Sequence, residues 1–181
     1  MAFRLQNPDD PNTAYLLEVI LEACDQAESG GGAFAFASPA GIKLLLGDKT
    51  FERFKSKRTF DLVVGTDAIT TTRSLAALTD ASQRLKGLTV RAFLNSRRGS
   101  AFHPKFCWFR GARRGTLITG SGNLTRGGLI SNWEAFSIED LSASGAKAAE
   151  KWWADWTAGS AGQIRALTDS EVMARAEENA I

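Results

Sequence analysis

Residues 102–134 constrain the fold of this chain more than any other stretch. They read FHPKFCWFRGARRGTLITGSGNLTRGGLISNWE. Two apolar runs, FHPKFCWF and TLIT, flank the basic segment RGARR, which reads as a turn. The pattern predicts a β-hairpin. Side chains alternate between the two faces of a strand, so His103 and Lys105 share a face of the first one. The second run ends in Gly120-Ser121-Gly122-Asn123. A hairpin of this length brings its two free ends together, and with them His103, Lys105, Ser121 and Asn123. A nucleophile or base, a fixed cation and two neutral hydrogen-bond donors then face one pocket. That set suits a phosphoryl group, whose transition state spreads negative charge over its equatorial oxygens.

The flanking sequence predicts a sheet for this hairpin to join. Ala14 to Ala27 carries Leu16, Leu17, Ile20, Leu21 and Cys24 at helical spacing, with Asn12 or Thr13 as its cap and SGGG as its end. AFAFAS (33–38) and FDLVVGTD (60–67) are short apolar runs bounded by turn residues, as strands buried on both faces would be. Pro39 to Leu46 begins a helix, and FERFKSKR (51–58) reads as a surface helix or a loop. A threonine at 70–72 caps a helix over Arg73 to Leu85, and Asp67 reads as a cap near it. Leu88 to Leu94 is a third strand. After the hairpin, LTRGGLISN starts as a short helical turn, positioned to aim backbone N–H groups at an anion. WEAFSIED is the next strand, with Glu134 at its beginning. A Trp-rich helix and a last helix over TDSEVMARAEENAI follow. Residues 1–12 read as turn-rich. Strands alternating with helices imply an α/β fold, a mixed β-sheet sandwiched by helices, in one domain over 1–181.

The residues FHPK, GSGNLT, the glycine-rich patch and N-W-E resemble the phospholipase D-like superfamily, in its nuclease and restriction-endonuclease branch. The signature of that superfamily is H-x-K, then an Asp, then G-S-x-N. Here it reads His103-Pro104-Lys105 and Gly120-Ser121-Gly122-Asn123. The resemblance implies a phospholipase D-like fold and a metal-independent phosphodiesterase, a hydrolase without a cofactor. His103 would be the nucleophile that becomes phosphohistidine. Lys105 and Asn123 would hold phosphate oxygens, Ser121 would assist, and Glu134 would orient the histidine. One position departs from the pattern: the family's Asp falls five residues after the Lys, where this chain has Arg110.

The family's chemistry uses two histidines, one to attack phosphorus and one to protonate the leaving oxygen. This chain of 181 residues has one, and the motif occurs once. A ring that carries the phosphoryl group cannot also serve as the acid. An enzyme of this type would therefore be a homodimer with two motifs meeting across a two-fold axis. Its coupled groups predict a bell-shaped pH profile.

A net charge of +2 does not by itself announce a nucleic-acid binder, so local charge must carry that argument. Arg97, Arg98, Arg110, Arg113, Arg114 and Arg126 surround the motif in sequence and are expected in loops flanking the pocket, on a phosphate backbone. Lys55, Lys57 and Arg58 form either a second patch or a wet helix face. The tryptophans at 152–156 read as helix packing or a dimer surface rather than base-stacking platforms. Cys24 and Cys107 have neither metal-site nor disulfide spacing. No apolar h-region opens the chain and no apolar run spans a bilayer, so cytoplasmic residence without a membrane partner is the simple expectation. Nucleic acid, and DNA first, is the expected substrate. The alternative is a weakly catalytic module that grips phosphodiesters within a larger defence or DNA-modification complex.

Overall fold

Three glycines decide where the centre of the sheet runs. In the computed structural model, which describes residues 1–55 and 58–180, helix α1 (Leu16–Asp25) stops before SGGG. That segment is not the end of the helix. It belongs to strand β2 (Ser29–Phe34), every residue of which is buried. A Cβ on Gly31 would lie 2.7 Å from the Trp108 indole nitrogen, and one on Gly32 would lie 2.8 Å from the Cys107 sulfur. The side chains of the neighbouring strand need that space, which outweighs the usual weakness of glycine in a strand.

Around β2 the sheet builds in both directions. On one side β3 (Thr59–Gly65) pairs parallel with β2, and β4 (Leu88–Phe93) parallel with β3. Helices α2 (Pro39–Leu46) and α3 (Thr72–Arg84) fall in these crossovers, and α3 takes Thr71 as its N-cap. On the other side β5 (Lys105–Arg110), β6 (Arg114–Gly120) and β7 (Glu134–Ser142) run antiparallel to their neighbours. Two edge strands complete the sheet: β1 (Ala2–Gln6) on β7 and β8 (Ile164–Arg165) on β4. The order is β1-β7-β6-β5-β2-β3-β4-β8. This is the mixed α/β sheet between helices that the sequence predicts. The turn-rich reading of residues 1–12 missed β1, whose alternation is masked because Phe3 and Leu5 face outward and Arg4 is exposed as well.

The two faces of the sheet bury different material. One carries aliphatic and phenyl groups, among them Leu16, Ile20, Leu62, Leu78, Phe109 and Phe136, beneath α1, α2, α3 and α5 (Ser170–Glu178). The other is covered by α4 (Ala143–Gly159) and centres on Trp108, Trp153 and Val63. Asp61 ties α4 down, accepting from the Trp153 indole nitrogen at 2.7 Å and pairing with Arg91. The segment Phe51–Lys55 is a 3-10 turn that buries Phe51 and Phe54 fully against Phe60 and leaves Glu52 exposed. Lys57 lies outside the described residues; Arg58 donates to the Asp25 carbonyl at the end of α1 (3.4 Å). Cys24 and Cys107 are buried, and burial, with Cys24 second, pushes the Cys107 thiol far up. Among the described residues no helix is long and apolar enough to cross a membrane.

Candidate active site

The free end of the β5–β6 hairpin holds the polar residues. Lys105 opens β5, and His103 precedes it just outside the strand. Phe106 pairs with Thr119, so Lys105 stands opposite Gly120, and Ser121 and Asn123 follow directly. Glu134 opens the adjacent strand β7. Three strands therefore deliver their ends to one rim of the sheet.

Lys105 folds back over His103. Its ammonium nitrogen lies 2.9 Å from Nδ1, 3.1 Å from Nε2 and 3.0 Å from the backbone oxygen of His103. An ammonium only donates, so the imidazole and the carbonyl accept. The Phe36 ring meets the imidazole edge-on at 5.8 Å and limits its rotation. Burial lowers the Lys105 pKa from its ordinary value, and the nearby Glu134 carboxylate works in the opposite direction. Glu134 is the counter-charge of the site.

Glu134 does not touch His103, contrary to the orienting role that the resemblance implies. The Ser121 hydroxyl donates to one of its oxygens, and the Asn132 carboxamide donates to the other at 3.3 Å. The same hydroxyl accepts from the Ala135 N–H at 3.1 Å. Ser121 has one proton and gives it to Glu134, so it is a strut for the carboxylate and not a donor waiting for a ligand. Asn123 is different. Its Oδ1 accepts from the Phe36 N–H at 3.2 Å, so that oxygen is already engaged by the backbone. Gly128 lets the chain pass close by: a Cβ there would lie 2.4 Å from both the nitrogen and the oxygen of Asn123.

The turn after Asn123 is a five-residue π-type turn, Gly127–Ser131, and three N–H groups at its start are used internally. Thr125 donates to the Asn123 oxygen, Gly128 to the Thr125 hydroxyl and Leu129 to the Thr125 oxygen.

The arginines divide. Arg97 and Arg98 are exposed in the loop that leads to His103, and Arg126 is exposed three residues beyond Asn123. Arg110, Arg113 and Arg114 do not flank the pocket. They sit at the turn end of the hairpin, about 17 Å away along β5. Arg110 is paired with Glu150 at 2.9 Å and donates to Ser29, which fixes α4 to the sheet. Arg113 and Arg114 line a cavity of about 490 Å³ together with Glu22, Gln26 and Asp140. This larger cavity is remote from His103.

Asp67 was expected as a cap near α3. Instead its carboxylate accepts from the Phe102 N–H at 2.8 Å, one residue before His103, and faces Arg175 of α5 at 3.6 Å. Asn179, the C-cap of α5, donates to the carbonyls of Thr66 and Thr70 at 2.8 and 2.9 Å, holding the loop that carries Asp67. No spacing in the sequence links Asp67 or Phe36 to the histidine, because both arrive from β-strand ends far away in the chain. Among the described residues no three His, Cys, Asp or Glu side chains gather into a metal-binding group.

With this geometry in view, the solved structures are informative. A phospholipase D family member, Nuc from Salmonella typhimurium, superposes with a TM-score of 0.61 at 20% identity, over 91% of this chain and 96% of that one. The chain has the fold of phospholipase D-family structures. NucT from Helicobacter pylori matches with a TM-score of 0.57 at 10% identity, over 91% of this chain and 99% of that one. The yeast tyrosyl-DNA phosphodiesterase matches with a TM-score of 0.50 at 14% identity, over 78% of this chain and 32% of that one. No family model and no curated protein matches the sequence.

Proposed function

We propose that this chain is a phospholipase D-like phosphodiesterase that cleaves nucleic acid, DNA first, by double displacement through phospho-His103, as a homodimer. The observation that carries the reading is the contact of Lys105 with both ring nitrogens of the only histidine, at the strand ends that also hold Asn123, Ser121 and Glu134. A bound phosphodiester draws the ammonium away from the ring and onto its non-bridging oxygens, with the Asn123 amide as second donor. A ring nitrogen of His103 is then free to attack phosphorus. The N–P bond forms as the P–O bond to the leaving group breaks. The leaving oxygen takes a proton from the histidine of the second copy, which afterwards takes one from water as that water cleaves the N–P bond. Glu134, braced by Ser121 and Asn132, balances the lysine charge. Arg97, Arg98 and Arg126 contact the phosphate backbone next to the pocket. The positive groups of the site come from side chains, so the reading needs no metal.

The test is incubation of the whole protein with labelled single- and double-stranded DNA and RNA in excess EDTA, beside His103→Ala. Cleavage by the wild type alone supports the reading and identifies the polymer. The second reading is a binding module of a larger DNA-modification or defence assembly. It is favoured by the single histidine per chain and by the Ser121 proton being committed to Glu134. Binding without cleavage, retained in His103→Ala, selects it.

A further inference from the structure

The cavity at the turn end of the β5–β6 hairpin takes no part in the chemistry at His103. It is a groove between α1 and the sheet. Phe109, Thr116 and Asp140 pair in one row across β5, β6 and β7 and form part of its floor. Side chains alternate along β7, so Ile138 shares the face of Asp140, and it packs against the core beneath α1. Val19, Glu22 and Ala23 of α1 make the wall, on one side of the helix at spacings of three and four. The hairpin turn closes the end of the groove. A Cβ on Gly111 would lie 2.7 Å from the carbonyl oxygen of Gln26, the C-cap of α1.

Four charged side chains line the groove: Arg113 and Arg114 from the turn, Glu22 from α1 and Asp140 from β7. Their charges sum to zero. Among the described residues none of the four makes an ion pair or a side-chain hydrogen bond. Opposite charges that line one groove without meeting leave room for a ligand that carries both signs. The register gives the spacing. Arg114 stands opposite Ser142 and Thr116 opposite Asp140, so Arg114 and Asp140 are two residues apart along the strands and one strand apart across them. That places their backbones roughly 8 Å from each other. A single α-amino acid is too short to reach both ends, whereas two extended residues span about 7 Å. The volume of about 490 Å³ suits a small molecule with apolar groups over Val19, Ala23 and Ile138. A nucleotide fits the charges less well, because its phosphate would attract the arginines and be repelled by Glu22 and Asp140.

We infer that this groove binds a zwitterionic ligand of dipeptide size. Its carboxylate meets Arg113 and Arg114, whose planar guanidinium groups match a carboxylate in pairs of hydrogen bonds. Its ammonium meets Glu22 and Asp140. All four side chains are exposed, so each charged contact competes with water and contributes modestly. The site stands apart from the proposed phosphodiesterase chemistry. Phe109 lies about 13 Å from Lys105 along β5, and binding in the groove requires no cleavage at His103.

The experiment titrates the whole isotope-labelled protein with leucyl-leucine and follows amide chemical shifts by NMR. The expected result is saturable shifts at Val19, Ala23, Thr116 and Asp140, with a dissociation constant on the order of 1 mM. Acetylating the amine of the dipeptide, or amidating its carboxylate, should each weaken binding about fivefold. These capped ligands test the charges without altering the protein. Arg113→Ala with Arg114→Ala should bind leucyl-leucine no better than the wild type binds the amide. Glu22→Gln with Asp140→Asn should bind it no better than the wild type binds the acetylated form. Circular dichroism verifies that each variant is folded. No shift at about 20 mM leucyl-leucine overturns the inference. So do equal affinities for the free and capped dipeptides, and so do folded variants that bind as the wild type does. Adenosine monophosphate that binds the groove more tightly than leucyl-leucine also overturns it, and assigns the groove to a nucleotide.

Discussion

The two ends of the β5–β6 hairpin are built from one stretch of sequence and differ in nearly every physical respect. The turn end has the larger cavity and three of the arginines, yet Arg110 is already paired with Glu150 and its task is to hold a helix. The free end has little enclosed volume, but its polar groups converge from three strands, and one cation rests on the histidine. Cavity size and nearness in sequence both point to the turn end. Convergence of side chains that can act on one atom points to the other.

Substitutions at the two ends test this contrast. The largest expected effect is at His103: His103→Ala loses at least about 1000-fold in kcat, read by cleavage of a labelled oligonucleotide, and no covalent protein–nucleic acid adduct is trapped on acid quench. Lys105→Met follows, with a loss of about 100- to 1000-fold in kcat/KM from removal of a fixed donor.

Lys105 also sets a pH dependence. Its pKa is lowered by burial, so the charge that grips phosphate is lost, and activity falls, at lower alkaline pH than an ordinary lysine would give. The sign for stability is opposite. The folded chain disfavours the charged form, a penalty present below the folded pKa and relieved as pH rises through it toward the unfolded value. Lys105→Met therefore melts no lower than the wild type at neutral pH, despite its lower activity, which thermal denaturation checks.

Glu134→Gln and Ser121→Ala should each cost about 10- to 100-fold in kcat through misplacement of the site's counter-charge. The double variant should be no worse than the more damaging single one if the two residues act as a unit, as a double-mutant cycle will show. Arg97→Ala with Arg98→Ala is expected to weaken DNA binding and to flatten the log–log salt dependence by about 2. The smallest effect belongs to the turn end. Arg113→Ala with Arg114→Ala should change kcat/KM less than about twofold at physiological salt, since about 17 Å exceeds the screening length there. A large loss in that variant would erase the contrast between the ends.

The hairpin, the α/β alternation and the nearness of His103, Lys105, Ser121 and Asn123 were legible because they are local: a period of two, a turn and two short motifs suffice. The missed parts depend on distant partners. Ser29–Phe34 looks like a helix end until Trp108 and Cys107 are laid beside its glycines. The roles of Ser121 and Glu134 exchange emphasis because their hydrogen bond crosses from β6 to β7, which no spacing encodes. Arg110, Arg113 and Arg114 are neighbours of the motif along the chain, but an extended strand carries them away from it.

The link from Arg175 through Asp67 to the Phe102 N–H means that the histidine's backbone is moored to the last helix of the chain. The position of His103 is thus held partly by α5, through a single carboxylate. A binding partner, protease or fused domain acting on α5 would reach the chemistry without approaching the substrate, by slackening one carboxylate.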